Sequence, residues 1–278
     1  LPEKTTYRLR FTVWPSQAAY DLIADLNNGL VEFDDLTQEQ QDSIDGNIED
    51  GYTMKTNSHL YTTFKDLEGH EYIDDKIKYE SEHMALPTET ITIKKIWNNP
   101  VDEHIGEDDE DGVELNLTKD GEDYLYGDHA ITVAPEDEND MVWESEDEIY
   151  ISCGNISQNT TTNKYIVHED GHDYAITEPA SFAYYWDLTG DVYHPMVING
   201  VATYLILNDD AVGVDGVDYY IINDHKYVRT EDSDTHVLTA TNDRRSSLNV
   251  FKAIDDQSED RSADADTPFT YKVTVNKC

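Results

Sequence analysis

Residues 91–99, ITIKKIWNN, alternate in the way a β-strand demands, because successive side chains point to opposite faces of a sheet. Ile91, Ile93, Lys95 and Trp97 fall on one face, so a lysine stands in line with three residues that want a core. An ammonium buried without a partner is strongly disfavoured, and the group must neutralise, pair or react. Lys94 falls on the other face with Thr92 and Ile96, so the alternation selects Lys95 over its neighbour.

Working outward, strand patterns follow one another at 90–97, 113–118, 129–133, 148–152, 164–168, 173–178, 193–198, 202–207, 218–222 and 236–241, separated by Gly, Asn and Asp clusters. This spacing predicts a mainly β chain built from immunoglobulin-like β-sandwich domains in tandem. Residues 89–243 form the central sandwich, with hairpins inserted at 183–235. Residues 1–88 precede it as a β-rich domain with short helices. There PSQAAYDLIADLNNG predicts a helix with Ser16 as N-cap, Leu22, Ile23 and Leu26 on one face, and Asn28-Gly29 as its stop. A second helix is expected over 37–47, where Thr37 and Gln40 fit a capping box. SHLYTTFKDLEG reads as a strand, and Pro87 marks the boundary. Residues 244–278 are too few to close a sandwich and read as the start of a further, incomplete β domain. A chain that opens on Leu1 and stops within a strand pattern is expected to be part of a larger protein. LPEKT at the start is no sorting signal of the LPxTG type, since Lys4 takes the threonine position and the motif stands at the wrong end.

Composition excludes several function classes. The 278 residues carry 60 acidic against 19 basic side chains, a formal charge of −41, which repels nucleic acid and anionic lipid. No apolar run approaches the roughly 18 residues of a membrane span, and no signal peptide opens the chain. Two cysteines, Cys153 and Cys278, are too few for a disulfide framework. EDDEDG at 107–112 fails as an EF-hand, because the position that needs a bidentate acid is Thr118. HEDGHD offers His168 and His172, but Asp170-Gly171 between them predicts a hairpin turn and no third ligand stands out. No metal or cofactor is expected. With 60 acids no catalytic carboxylate pair can be singled out, so a turnover enzyme is not expected, and neither is a carbohydrate-active accessory domain.

Lys95 finds company further along. In HDYAITEP, residues 172–179, Tyr174, Ile176 and Glu178 share a face; in HVLTATN, residues 236–242, Leu238, Ala240 and Asn242 do. Three strands, near the start, middle and end of one domain, thus each set one polar group on an apolar face. Singly each is ordinary: a lysine snorkels, a glutamate lies past a strand end, an asparagine caps a turn. Together they are reactive. Desolvation favours the uncharged forms of an amine and a carboxylic acid. The amine is then a nucleophile for the asparagine carbonyl, and the acid can hydrogen-bond that carbonyl and carry protons. Loss of ammonia leaves an amide joining Lys95 to Asn242.

Lys95-x-Trp97 followed by an acidic loop and VELNLTKDG, then YAITEP with Glu178, then LTATN with Asn242, resembles the B-type repeat domains of Gram-positive collagen adhesins and pilins. Those domains form Lys–Asn isopeptide bonds spontaneously. The resemblance covers about 89–243, and TITIKKIWNN, GHDYAITEP and YHPMVING also look like modules found beside a von Willebrand A-type domain. It implies an extracellular, cell-wall-anchored stalk segment, with Glu178 promoting the bond and a host surface or matrix ligand engaged by other domains of the parent protein. LNVFKAID implies Lys252 as the lysine of a following domain. The stretch between Glu178 and Asn242 is longer than in a minimal repeat. The alternative is a module that itself binds a host ligand or glycan.

Overall fold

The computed structural model describes residues 14–47, 51–55, 60–65, 68–79, 89–98, 112–136, 141–180, 186–229 and 236–245. The amino-terminal part contains helix α1 (Gln17–Asn27), a 3-10 turn at Phe33–Asp35, and helix α2 (Gln38–Ser43). Two antiparallel hairpins follow, β1 (Ile44–Asn47) with β2 (Gly51–Met54) and β3 (Leu60–Lys65) with β4 (Glu71–Tyr79). Helix α1 starts after Ser16, as expected, and turns off through Asn28 into Gly29, whose φ of 71° suits a residue without a Cβ. The capping box of α2 is present, with Gln40 N–H bonded to Thr37 Oγ1 and Thr37 N–H bonded to Gln40 Oε1. The helix is shorter than the 37–47 expected. Ile44–Asn47 leave it to pair with Gly51–Met54, exchanging weak helical propensity for a ladder.

The remainder is mainly β, in two large sheets. The first has β5 (Glu89–Asn98) near its middle. β10 (Ile149–Ile151) and β9 (Val142–Glu144) take successive stretches of one edge of β5, while β19 (Val237–Arg244) lies parallel along the other and carries β14 (Trp186–Gly190) antiparallel outside it. The second sheet runs β17 (Tyr220–Ile222), β18 (His225–Arg229), β16 (Val201–Leu207), β15 (Tyr193–Ile198), β13 (Tyr174–Thr177), β6 (Val113–Lys119) and β7 (Glu122–Leu125). β8 (Ile131–Val133) also pairs with β6, and β11 (Gly154–Asn159) joins β12 (Lys164–Glu169) to β15.

One core unites the sheets. Ile91, Ile93, Trp97, Trp186, Leu238 and Ala240 from the first pack in a single cluster with Leu115, Leu117, Val133, Tyr174 and Ile176 from the second. A second cluster, including Ile156, Met196, Leu205 and Tyr227, lies under β11 and β15 to β18. The chain divides after Arg245 into two compact units, 1–245 and 246–278.

Each strand expected from 90 to 241 has a counterpart whose ends agree within three residues. Among the described residues of the same stretch five strands were not expected: β7, β9, β11, β14 and β18. Gly154–Asn159 shows why. GNISQN has turn composition, yet a Cβ at Gly154 would run into Met196 Sδ, the Glu169 carbonyl and Gly171 N, so the glycine is there for close approach inside a sheet. HEDGHD is not a hairpin turn either. β12 pairs with β11, whereas β13 pairs with β6 and β15, so the segment carries the chain from one part of the sheet to another.

Candidate functional site

β5 alternates as its sequence requires, and Ile91, Ile93, Lys95 and Trp97 are its buried residues. The Lys95 side chain has no exposed surface. β19 lies against it with Ala240 opposite Lys95 and Asn242 opposite Trp97. Because the side-chain period of a strand is two, Asn242 shares the face of Ala240 and stands diagonally across from the lysine. Glu178 arrives from the other sheet. It lies one residue past the end of β13, on the face of Tyr174 and Ile176, and its side chain is only 6% exposed.

The fold therefore brings together the three polar residues that the alternation singled out. Lys95 Nζ donates to Asn242 Oδ1 at 2.7 Å and to Glu178 Oε1. Trp97 closes one side, its ring centre 4.9 Å from Nζ. Trp143 and Trp186 meet Trp97 edge-on with ring centres 5.4 and 4.9 Å away, walling off water. The sequence named Trp97 but not these two, which come from strands too short or irregular to stand out.

Burial pushes the Lys95 amine below the ordinary lysine range, against the opposing pull of its hydrogen bond and charge interaction with Glu178. Asn242 Nδ2 is buried with no hydrogen-bond partner. An orphaned amide N–H2 in a core costs about 1–3 kcal/mol. The amide therefore presents its carbonyl oxygen to the amine, while its nitrogen, the group that acyl transfer would expel, is held by nothing.

Lys94 points away and pairs with Glu144 at 2.9 Å, its side chain 35% exposed. His168 and His172 do not converge: His168 Nε2 lies 2.7 Å from Ser157 Oγ and its ring stacks on Trp14, while His172 lies between Asp120 and Asp21. Among the described residues no group of three or more His, Cys, Asp or Glu is arranged to hold a metal ion. Cys153 is a buried free thiol. Cys278, Lys252, Pro87 and the acidic run before Gly112 lie outside the described residues.

No family model, curated protein or solved structure matches the chain.

Proposed function

We propose that this chain is a structural stalk segment of a bacterial cell-surface adhesin or pilus-like protein, an immunoglobulin-like β-sandwich locked by a self-formed isopeptide bond between Lys95 and Asn242. The reading rests on one observation above all. A fully buried lysine amine contacts both a carboxyl group and the carbonyl oxygen of a fully buried asparagine.

The chemistry needs nothing from outside. A proton passes from the Lys95 ammonium to Glu178, leaving a neutral amine. Nζ attacks Asn242 Cγ, and the Glu178 O–H hydrogen-bonds Oδ1 as negative charge gathers there. The amine proton is passed through Glu178 to Nδ2, the Cγ–Nδ2 bond breaks, and ammonia leaves. One C–N bond forms, one breaks, and no electrons change hands. The product removes two liabilities of the core together, a charged amine and an unpartnered amide nitrogen.

The bond forms once per chain, so the protein is not a turnover enzyme. Its value is mechanical: β5 and β19 are joined covalently, and tension between them bypasses the ladder hydrogen bonds. In this reading the segment stands outside the cell, anchored to the wall through its parent protein, whose other domains meet the host surface or matrix.

Intact mass spectrometry tests the proposal. The expected mass is one ammonia below that of the sequence, with a branched peptide joining Lys95 to Asn242 in a digest, and Glu178→Ala restores the full mass. A wild-type chain of unmodified mass overturns it.

A second reading, a binding module, draws on the loop between β16 and β17. Val212, Val214 and Val217 there are 88%, 62% and 70% exposed. Saturable binding of the wild-type chain to a matrix-protein or glycan panel, abolished by replacing the three valines with serine, would favour it over a pure spacer.

A further inference from the structure

Helix α1 has two faces. Ile23 and Leu26 pack with Ile44 in a small apolar cluster. The other stripe is polar, and Gln17, Asp21, Asp25 and Asn28 follow one another at helical spacing. Every one of them reaches into the β-sheet body. Gln17 Nε2 donates to Ser152 Oγ at 2.6 Å and its Oε1 accepts from Gly171 N at 3.0 Å. Asp25 accepts from Tyr124 O–H at 2.9 Å. Asn28 holds both Tyr150 O and Tyr150 N, at 2.8 and 3.0 Å. Asp21 meets Lys119 Nζ at 3.1 Å and His172 Nε2 at 3.0 Å. The other imidazole nitrogen, Nδ1, lies 2.6 Å from Asp120 Oδ2.

His172 thus has a carboxylate oxygen on each ring nitrogen. A neutral imidazole carries one N–H and can serve only one of them; the imidazolium serves both. We propose that Asp21, His172 and Asp120 form a proton-operated latch that holds α1 against the β-sheet body, closed while the imidazole carries both protons and released when it gives one to solvent. On release one carboxylate loses its donor, and the set formed by Asp21, Asp120, His172 and Lys119 goes from neutral to a net charge of −1. Asp21 ties α1 to the β-sheet body through charged groups, beside the buried Tyr20 and Ala24 of the same helix, so the change falls on that tie.

The surroundings favour the closed form. Burial pushes the His172 pKa down, but the hydrogen bonds to Asp21 and Asp120 outweigh it and raise it above the usual histidine value; Lys119 works against them. For Asp21, burial pushes the carboxyl up, and the interactions with His172, Ser152 and Lys119 overcome it and hold the group far below the carboxylate range. Behind His172 stands Asp173, whose carboxylate is taken by His194 Nδ1 at 2.7 Å and Tyr227 O–H at 3.0 Å. A group whose folded pKa is raised contributes fully below its unfolded value and loses that contribution as pH rises through the folded value. The reverse holds for Asp21, whose share is present above the ordinary carboxylate pKa and fades only in strong acid. The latch is therefore tightest between those limits and opens on the alkaline side, through the titration of His172.

The test uses the whole chain. Hydrogen exchange of amides 17–27, corrected for intrinsic rates, is followed across the pH range in which NMR records the titration of His172. Protection of α1 is expected to fall as His172 loses its proton, about tenfold for each unit by which His172 titrates above its ordinary value, while β5 and β19 keep theirs. Asp120→Asn should move the titration and the loss of protection to lower pH together, and His172→Ala should leave α1 poorly protected at all pH. Protection that stays level while wild-type His172 titrates overturns the proposal, as does an Asp120→Asn chain whose titration moves without the protection following.

Discussion

Lys95 and Lys119 each sit beside a carboxylate and over an aromatic ring, and the chemistry proposed for them differs. Lys95 lies 4.9 Å from the centre of the Trp97 ring and Lys119 lies 5.1 Å from that of Tyr124. Lys95 is sealed, with Asn242 as its third partner. Lys119 keeps 17% of its side chain in solvent, and the partner it shares Asp21 with is a histidine. Water decides between them. Where it is excluded the charge is costly, and under the proposal above it leaves by a covalent route through the asparagine in reach. Where water remains, the charges persist and the joint stays reversible. In this reading one clasp closes the body of the protein permanently and the other holds a helix to it conditionally.

The largest expected effect breaks the permanent clasp in two different ways. Lys95→Met removes the proposed cross-link but leaves an apolar side chain of similar length in the core. Glu178→Ala removes the cross-link and also leaves an amine buried without its carboxylate. Losing the closed loop, whose ends are 147 residues apart, should lower stability by at most about 5 kcal/mol in both. Stranding the amine adds about 3–5 kcal/mol in Glu178→Ala, whereas the carboxyl stranded in Lys95→Met lies just past the end of β13 and keeps 6% of its side chain in solvent against none for the lysine. Chemical denaturation should therefore rank wild type above Lys95→Met and Lys95→Met above Glu178→Ala. Equal stability of the two variants would mean that Lys95 is not held as a charge when Glu178 is gone.

The conditional clasp should respond more weakly and only locally. Asn28→Ala strips the Tyr150 N–H and C=O of their side-chain partner, costing about 1–3 kcal/mol. Exchange protection of α1 should drop at every pH, and the mass should stay one ammonia short. If the mass rose, the two clasps would be coupled, and the comparison between them would fail.

Reading the sequence alone recovers these two sites unequally, for a physical reason. Lys95 and Asn242 each interrupt an apolar alternation on their own strand and Glu178 follows one just past the end of β13, so each is visible locally, and the proposed chemistry links them without knowledge of the fold. The helix stripe at Gln17, Asp21, Asp25 and Asn28 looks like any solvated face. Its partners Ser152, Lys119, Tyr124 and Tyr150 lie about a hundred residues away or more, in or just after strands whose pairing no local pattern specifies. The same limit hid β9 and β14, short strands that deliver Trp143 and Trp186 to the lysine. It also hid the true course of HEDGHD, where Asp170-Gly171 has hairpin composition but the flanking strands find other neighbours.

The smallest effect sharpens the comparison most directly, because it applies to Lys119 the change made at Lys95. Lys119→Met removes one partly solvated ion pair, for which about 1 kcal/mol or less is expected. No cross-link depends on it, so the mass is unchanged. The pH response carries the information. Lys119 repels the protonated His172, and its removal should let the imidazolium persist to higher pH, since the bonds to Asp21 and Asp120 remain. The variant should be marginally less stable where wild-type His172 is protonated, yet hold its helix into more alkaline solution than wild type does. A Lys119→Met chain that releases α1 at the wild-type pH or below would show that the histidine does not feel this charge, and that the contrast between the two lysines lies in burial alone.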